Sequence, residues 1–394
     1  MRLVLAAHMV RASGYASDLD MRERDETTGG PIGERLAAWR VHRRMSREDL
    51  ASRAGLELGY IVGLEMGTDW MDRRGRLATL AGALRLDVAD LTGQPYPPRG
   101  AEHVAVRAVA FHLRRRVLRW DLGTSPGPRL DELEERVRDA AAADASGDEY
   151  RLALALPELI DAADLAVSTA APREHEEANR LRVQAHVLGA GLLRRLGYKD
   201  LAWMLLHRAR PGVQEPLQVL VEEVHLLIDL GLPEYALSRA GRAQEAGAGQ
   251  ELVPLTAQAQ AMAGRRRHAE RLLDTAAAQA ANARDVAVVN AARAAVAVEC
   301  GDPEEAGAHV RAVDQDLLDD APRSSLLVVA AAAAARQDHA GQAATRLLEA
   351  DAAAPSRLRL DPLARDLVAA LAVQTAGTSQ AAAVGNLAES AGLR

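Results

Sequence analysis

Aromatic residues and cysteine are scarce in this chain: Phe, Trp and Tyr make up 3% of 394 residues, Phe111 is the sole phenylalanine and Cys300 the sole cysteine. A single thiol excludes an internal disulfide framework and suits a reducing compartment, so a cytoplasmic location is expected. Flanked by Val298 and Glu299 near an expected helix end, Cys300 reads as a small buried hydrophobe rather than a nucleophile. With few aromatics and alanine and leucine dominant, helices packed through small residues are favoured over sheets. No run of about 18 apolar residues occurs, which excludes a membrane-spanning helix and leaves no membrane partner to expect. The opening MRLVLAAHMV has a short apolar run, contains His8 and lacks a cleavage signal, so it does not read as a signal peptide. Residues 1–29 are expected to be a disordered lead, with Met21 an alternative start of translation. Catalytic signatures are missing as well: there is no Walker loop, no HExxH and no GxGxxG between a strand and a helix. His103 and His112, nine residues apart, read as surface or packing residues and not as metal ligands. The chain is therefore not expected to be an enzyme, and no cofactor or metal is expected.

What is present begins with MSREDLASRAGLELGYIVGLEMG, Met45 to Gly67. Ser46 followed by Asp49 is a helix-start signal, because the hydroxyl can accept from a first-turn amide and the acid suits the positive dipole end. Leu50, Ala51 and Ala54 form a buried stripe, Gly55 can turn the chain with positive φ, and Ile61 with Leu64 gives a second short helix ending at Gly67. Ile32, Leu36 and Trp39 ahead, and Leu77, Leu80, Leu84, Leu86 and Leu91 behind, complete a bundle of about five helices over residues 30–94.

These residues resemble the DNA-binding domain of the Xre (lambda-repressor-like) family of bacterial helix-turn-helix regulators. The likeness runs from about Ile32 to Thr92 and rests on Met45-Ser46, Glu48, Leu50-Ala51, Ala54-Gly55, Tyr60, Ile61, Leu64, Glu65 and Gly67, with LATLAGALRLDVADL similar to the fourth and fifth helices. It implies double-stranded DNA as a partner. The face that should read bases departs from the pattern, carrying Glu57, Leu58, Gly59, Val62, Gly63 and Met66. Arg, Lys, Asn and Gln read base edges, whereas apolar groups can only touch thymine methyls. Two glycines also cost such a helix about 1 kcal/mol each relative to alanine. The expected DNA contacts are therefore chiefly to phosphate, from Arg43, Arg44, Arg47, Arg73 and Arg74, with Tyr60 a further donor and Leu58 and Val62 adding apolar contact. Charge supports this division. Residues 30–120 hold sixteen arginines against ten acidic residues, whereas residues 121–394 hold 28 basic against 40 acidic. A basic head on an acidic body is the asymmetry expected when one end meets a polyanion.

Behind the head, TGQPYPPRGAEH is barred from helix by Pro95, Pro97 and Pro98, and VRAVAFHLRRRVLRWDL reads as a connector helix with Val106, Val109, Leu113 and Val117 on one side. GTSPGP then reads as a second hinge, making 95–128 a linker.

The body, 129–373, is a repeat array. Gly197, Gly231, Gly264 and Gly301 lie 34, 33 and 37 residues apart, each followed five positions later by alanine: Ala202, Ala236, Ala269 and Ala306. Asp338 with Ala343 continues the series without the glycine. Small or apolar residues recur seven places beyond each alanine, from Ala209 to Ala350, and twelve before, from Ala190 to Ala331. A fixed period with small residues where helices cross is the mark of a helical-hairpin solenoid, the glycine turning one helix of the pair into the next. The register resembles the tetratricopeptide repeat over about Glu174 to Ser356, with a divergent first unit from Arg129 to Ser168; most of that family's aromatics are replaced, though Tyr198 and Trp203 remain. Leu358–Val373 reads as a capping helix and 374–394 as a frayed tail.

The combination resembles bacterial regulators that join an Xre-type head to a tetratricopeptide body and sense signalling peptides. It implies an all-α, two-domain regulator, a homodimer by analogy with paired half-sites, whose array binds a peptide, small-molecule or protein effector. By the repeat register, Gln184, Arg194, Gln218, His225 and Gln258 face the concave groove, followed by the small residues Ala291, Ala295, Val298 and Ala332. The stripped recognition face leaves a second reading open, an interaction scaffold whose head no longer binds DNA.

Overall fold

A computed structural model describes residues 30–97, 99–118, 127–210, 215–245, 247 and 249–393; the lead expected over 1–29 and most of the GTSPGP hinge lie outside them. Among the described residues there are twenty-one α-helices and no strand, so the all-α expectation holds.

Five helices build the head: α1 (Pro31–His42), α2 (Arg47–Ala54), α3 (Leu58–Met66), α4 (Arg74–Leu84) and α5 (Val88–Thr92). Ser46 Oγ accepts from the Asp49 amide while the Asp49 carboxylate accepts from the Ser46 amide, closing a capping box at the start of α2. Gly55 ends α2 in the left-handed region at φ 62°, where a β-carbon would add strain. Ile32, Leu36, Leu50, Ile61, Leu64, Leu80, Leu84 and Leu91 close the core. Glu65, buried within it, is held by Arg40 Nε at 2.6 Å and Arg47 Nε at 2.6 Å.

The connector is α6 (Gly100–Val117), which buries Val106, Val109, Ala110 and Leu113 against the first helices of the body. The preceding proline segment is also packed: Tyr96 is buried under the Arg365 guanidinium, 3.8 Å from the ring centre.

The body is a series of antiparallel helix pairs. They are α7 and α8 (Leu130–Ser146, Glu149–Thr169), α9 and α10 (His175–Arg195, Lys199–Arg208), α11 and α12 (Leu217–Asp229, Pro233–Glu245), α13 and α14 (Val253–Met262, Arg266–Gln279), α15 and α16 (Ala283–Cys300, Pro303–Arg311), and α17 and α18 (Asp320–Ala335, Ala340–Ala353). The periodic glycines stand at the turns with positive φ, and Asp338, in the place of the missing glycine, adopts the same conformation at φ 60°. Ala202, Ala236, Ala269, Ala306 and Ala343 are all buried where the two helices of a pair cross. The first helix of each pair stacks on the first helix of the next.

Three short helices finish the chain: α19 (Pro355–Leu360), α20 (Pro362–Gln374) and α21 (Ala381–Ser390). The expected frayed tail is thus incorrect over most of its length. Val384, Leu387 and Ala388 recur at helical spacing and bury α21 in the cluster of Leu347, Leu367 and Leu371, covering an apolar end that would otherwise face water. The array also bends until its ends meet. α7 packs on α17, and Arg357 from α19 reaches Asp144 at 2.8 Å and Glu149 at 2.8 Å.

Candidate functional site

The head does not stand apart from this ring; it lies across the rim where the first helix of each pair ends. Gly197 touches Gln94 and Pro95, Gly231 touches Ala78 and Val88, and Gly301 lies against the Arg73 guanidinium. A β-carbon at Gly231 would stand 2.8 Å from Ala78 Cβ and 2.9 Å from Val88 Cγ2, so these glycines serve both the turn and the docking. Helix C-termini carry negative partial charge and attract cations, and the head presents an arginine-rich edge to them.

Along this seam carboxylates of the array take the polar groups of the head. At the N-terminus of α4, where amides have no helical partner, Glu299 Oε2 accepts from Arg74 N at 2.9 Å and Oε1 from Gly75 N at 2.7 Å. A β-carbon at Gly75 would sit 2.8 Å from Glu299 Oε1 and 3.0 Å from the Met262 carbonyl oxygen, so this approach requires glycine. The Arg74 guanidinium spans Asp229 at 3.1 Å and Asp361 at 2.8 Å. Asp366 Oδ1 accepts from Ile32 N at 3.0 Å and Oδ2 from Met71 N at 2.7 Å, joining the start of α1 to the loop before α4. In the reverse sense, Arg336 of the array holds Asp69 at 2.6 Å and Asp72 at 2.7 Å and stacks over Trp70.

Beneath the head a cavity of about 390 Å³ is walled by both domains. Its polar side includes Arg194, Lys199, His225 and Gln258, and its apolar side Ala295, Val298, Val328, Val329 and Ala332. Arg194 donates to Glu222 at 2.7 Å and to Asp229 at 2.6 Å, so Asp229 is shared by two arginines that lower its pKa against the opposing effect of burial. Lys199, the chain's one lysine beside 47 arginines, is buried and donates to the Asp229 carbonyl at 2.8 Å; burial lowers its pKa. Burial and the neighbouring Arg194 hold His225 down to about 4, so it is neutral at pH 7.

Because the unfolded imidazole titrates near 6.5, the folded chain resists a proton that the unfolded chain accepts. The contribution of neutral His225 to stability is full above that pH and is lost as pH falls toward 4. Replacing His225 with Gln should therefore flatten the decline in stability between pH 6.5 and 4; equal slopes by chemical denaturation would remove His225 from this role.

Three of the five expected groove residues, Arg194, His225 and Gln258, line the cavity together with Ala295, Val298 and Ala332. Gln218 is exposed and Gln184 pairs with Arg180 on the surface, so neither belongs to it. The positions expected to touch DNA divide in the same way. Arg43, Arg44 and Leu58 are exposed, and Arg47 is half exposed while bonded to Glu65. Tyr60 packs inward, its hydroxyl donating to Met71 Sδ at 3.6 Å and its ring covered by Arg76, and Val62 is half-buried. Arg73 and Arg74 face the array: the Arg73 guanidinium lies against Gly301 and pairs with Asp72 of the head at 3.7 Å, and Arg74 is held by acids that the repeat pattern does not mark. Those acids, Asp229, Glu299, Asp361 and Asp366, were missed by sequence reasoning; the available signal was charge on otherwise apolar helices, as in PLARDLVAAL.

No protein-family model and no curated protein matches the chain.

Proposed function

We propose that the protein is a bacterial DNA-binding transcriptional regulator seen in a closed state, with a helix-turn-helix formed by α2 and α3 and a tetratricopeptide-like array that binds an effector. The observation that carries this reading is the Glu299 carboxylate on the paired amides of Arg74 and Gly75, beside Arg74 clamped by Asp229 and Asp361. Helix N-termini and arginines are the groups that hold phosphate, and here the array supplies carboxylates in its place. Effector binding shifts the head away from this seam and frees the edge for a duplex. Arg43 and Arg44, already exposed, make the first phosphate contacts. The exposed apolar residues Val104, Phe111 and Leu118, seven apart on and just beyond α6, offer a seam for pairing two chains.

The second reading, a scaffold without DNA binding, is favoured by one observation: the exposed positions of α3 are Leu58, Gly59 and Met66, none of which reads a base edge. Salt-dependent binding to a random-sequence duplex separates the two. The regulator reading expects binding at low salt that weakens steeply as salt rises, with two chains per duplex, and a uniform loss across sequences in Arg43→Ala/Arg44→Ala, the salt slope falling by about one per phosphate contact removed. Absence of binding at low salt, or binding indifferent to both arginines, supports the scaffold.

A further inference from the structure

The groove in which an extended peptide was expected to lie is largely covered by the head, and what remains is the 390 Å³ cavity. That volume is near the lower end of the range of about 300–1,000 Å³ for small-molecule sites. An occupant is therefore of metabolite size.

Its chemistry follows from what lines the space. Every charged side chain on the wall except Lys199 is already engaged by a partner of opposite charge or by amides: Arg74 and Arg194 by carboxylates, Arg195 and Arg357 by Asp144 and Glu149, Asp72 by Arg336, and Glu299 by two amides. A cation finds no free carboxylate, and an anion finds only Lys199, where the cost of taking its charge out of water can exceed the gain from pairing; an uncharged acceptor avoids that cost. What stays unmet is the donor capacity of Lys199, along with the Trp70 indole N–H on the head side and His225 Nδ1 on the array side. An ammonium carries three protons, and among the described residues the one hydrogen bond Lys199 makes is to the Asp229 carbonyl. A lysine at this point, in a chain that otherwise uses arginine throughout, places a compact, rotatable donor where a planar guanidinium would fill the space. Gln94, Ser324 and Ser325 add further polar groups to the wall, and neutral His225 and the Gln258 amide stand with Lys199 on its polar side. Opposite them, Val298, Val328, Val329 and Ala332 offer apolar surface only.

We propose that the cavity binds an uncharged molecule, apolar over most of its length, with an acceptor at one end that takes a hydrogen bond from Lys199. Trp70, Leu77 and Val88 of the head share the wall with the array, so an occupant touches both domains and biases their docking. Only that last consequence rests on the regulator reading; binding itself does not.

Calorimetric titration of the full chain with three probes that each carry an eight-carbon chain tests the assignment. N-octyl-2-pyrrolidone, an uncharged acceptor, should bind saturably at one per chain, with octanoate and octylammonium at least about tenfold weaker. Lys199→Met should weaken the pyrrolidone by about tenfold or more, the worth of one hydrogen bond to a charged group. Ala332→Leu, which fills the apolar side, should abolish binding. The unmodified protein supplies an independent readout: Lys199 is the only lysine, so its acetylation by an amine-reactive reagent is read at one site by mass spectrometry, and saturating pyrrolidone should slow it. Octanoate binding as tightly as the pyrrolidone, affinity unchanged in Ala332→Leu, absence of pyrrolidone binding, or an acetylation rate indifferent to the probe would each overturn the assignment. None of these measurements uses DNA, so a failed duplex titration leaves the cavity result standing and the reverse also holds.

Discussion

Replacing Asp366 with alanine loosens the head from the array at an expected cost of about 2–6 kcal/mol, since it orphans two buried amides that each cost about 1–3 kcal/mol when left unpaired. The two amides, of Ile32 and Met71, bind opposite oxygens of one carboxylate that is 1% exposed. Asn in its place keeps one oxygen acceptor and turns the other position into a donor facing an amide, so Asp366→Asn should fall between wild type and alanine. Hydrogen exchange at Ile32 and Met71 reads the effect directly, with exchange in the alanine variant expected to be more than about tenfold faster. Burial raises the Asp366 carboxyl to about 6, above its unfolded value near 3.8. The folded chain thus binds this proton more tightly, and the resulting stability is full at low pH and fades as pH rises through 6. That slope is opposite in sign to the one from His225 and should vanish in Asp366→Asn. Unchanged exchange at both amides in the alanine variant would show that Asp366 does not hold the head.

Local rules made the head and the repeats legible before the structure. Ser46 and Asp49 form the capping box that their spacing demands, Gly55 turns with positive φ, and the periodic alanines are buried at the crossings. Each of these outcomes depends on neighbours a few residues away in the chain. The closure of the array and the seat of the head depend on groups far apart, such as Asp366 with Ile32 or Arg336 with Asp69, and no periodicity relates them. Arg74 shows the limit well. As a residue after the second motif helix it reads as a phosphate contact, and its partners Asp229 and Asp361 become visible only when the ring brings them to the same rim. Gln184 and Gln218 failed for a related reason: the repeat register fixes the face of a helix but not how much of that face the head covers. The tail was misread because Val384 and Leu387 are too sparse to announce a helix alone, yet suffice once α18 and α20 offer a surface to cover.

A second large effect is expected at the same seam from the DNA binding proposed for the head. In Glu299→Gln/Asp361→Asn the amides of α4 lose one anionic oxygen and Arg74 loses one carboxylate, while Asn at 361 preserves the helix cap that Asp361 gives to Leu363 and Ala364. A head whose open form is a minor species binds DNA more weakly by that fraction, so relieving the closed form should tighten apparent affinity by about tenfold to a hundredfold.

The most direct test of the central claim, that the array holds the edge of the head which a duplex would otherwise occupy, is fluorescence anisotropy of a labelled random-sequence duplex titrated at one fixed low salt concentration with wild type and with Glu299→Gln/Asp361→Asn. If the array holds that edge, the variant binds more tightly than wild type and reverts to weaker than wild type when Arg74→Ala is added. Equal or weaker binding by the double variant would contradict it.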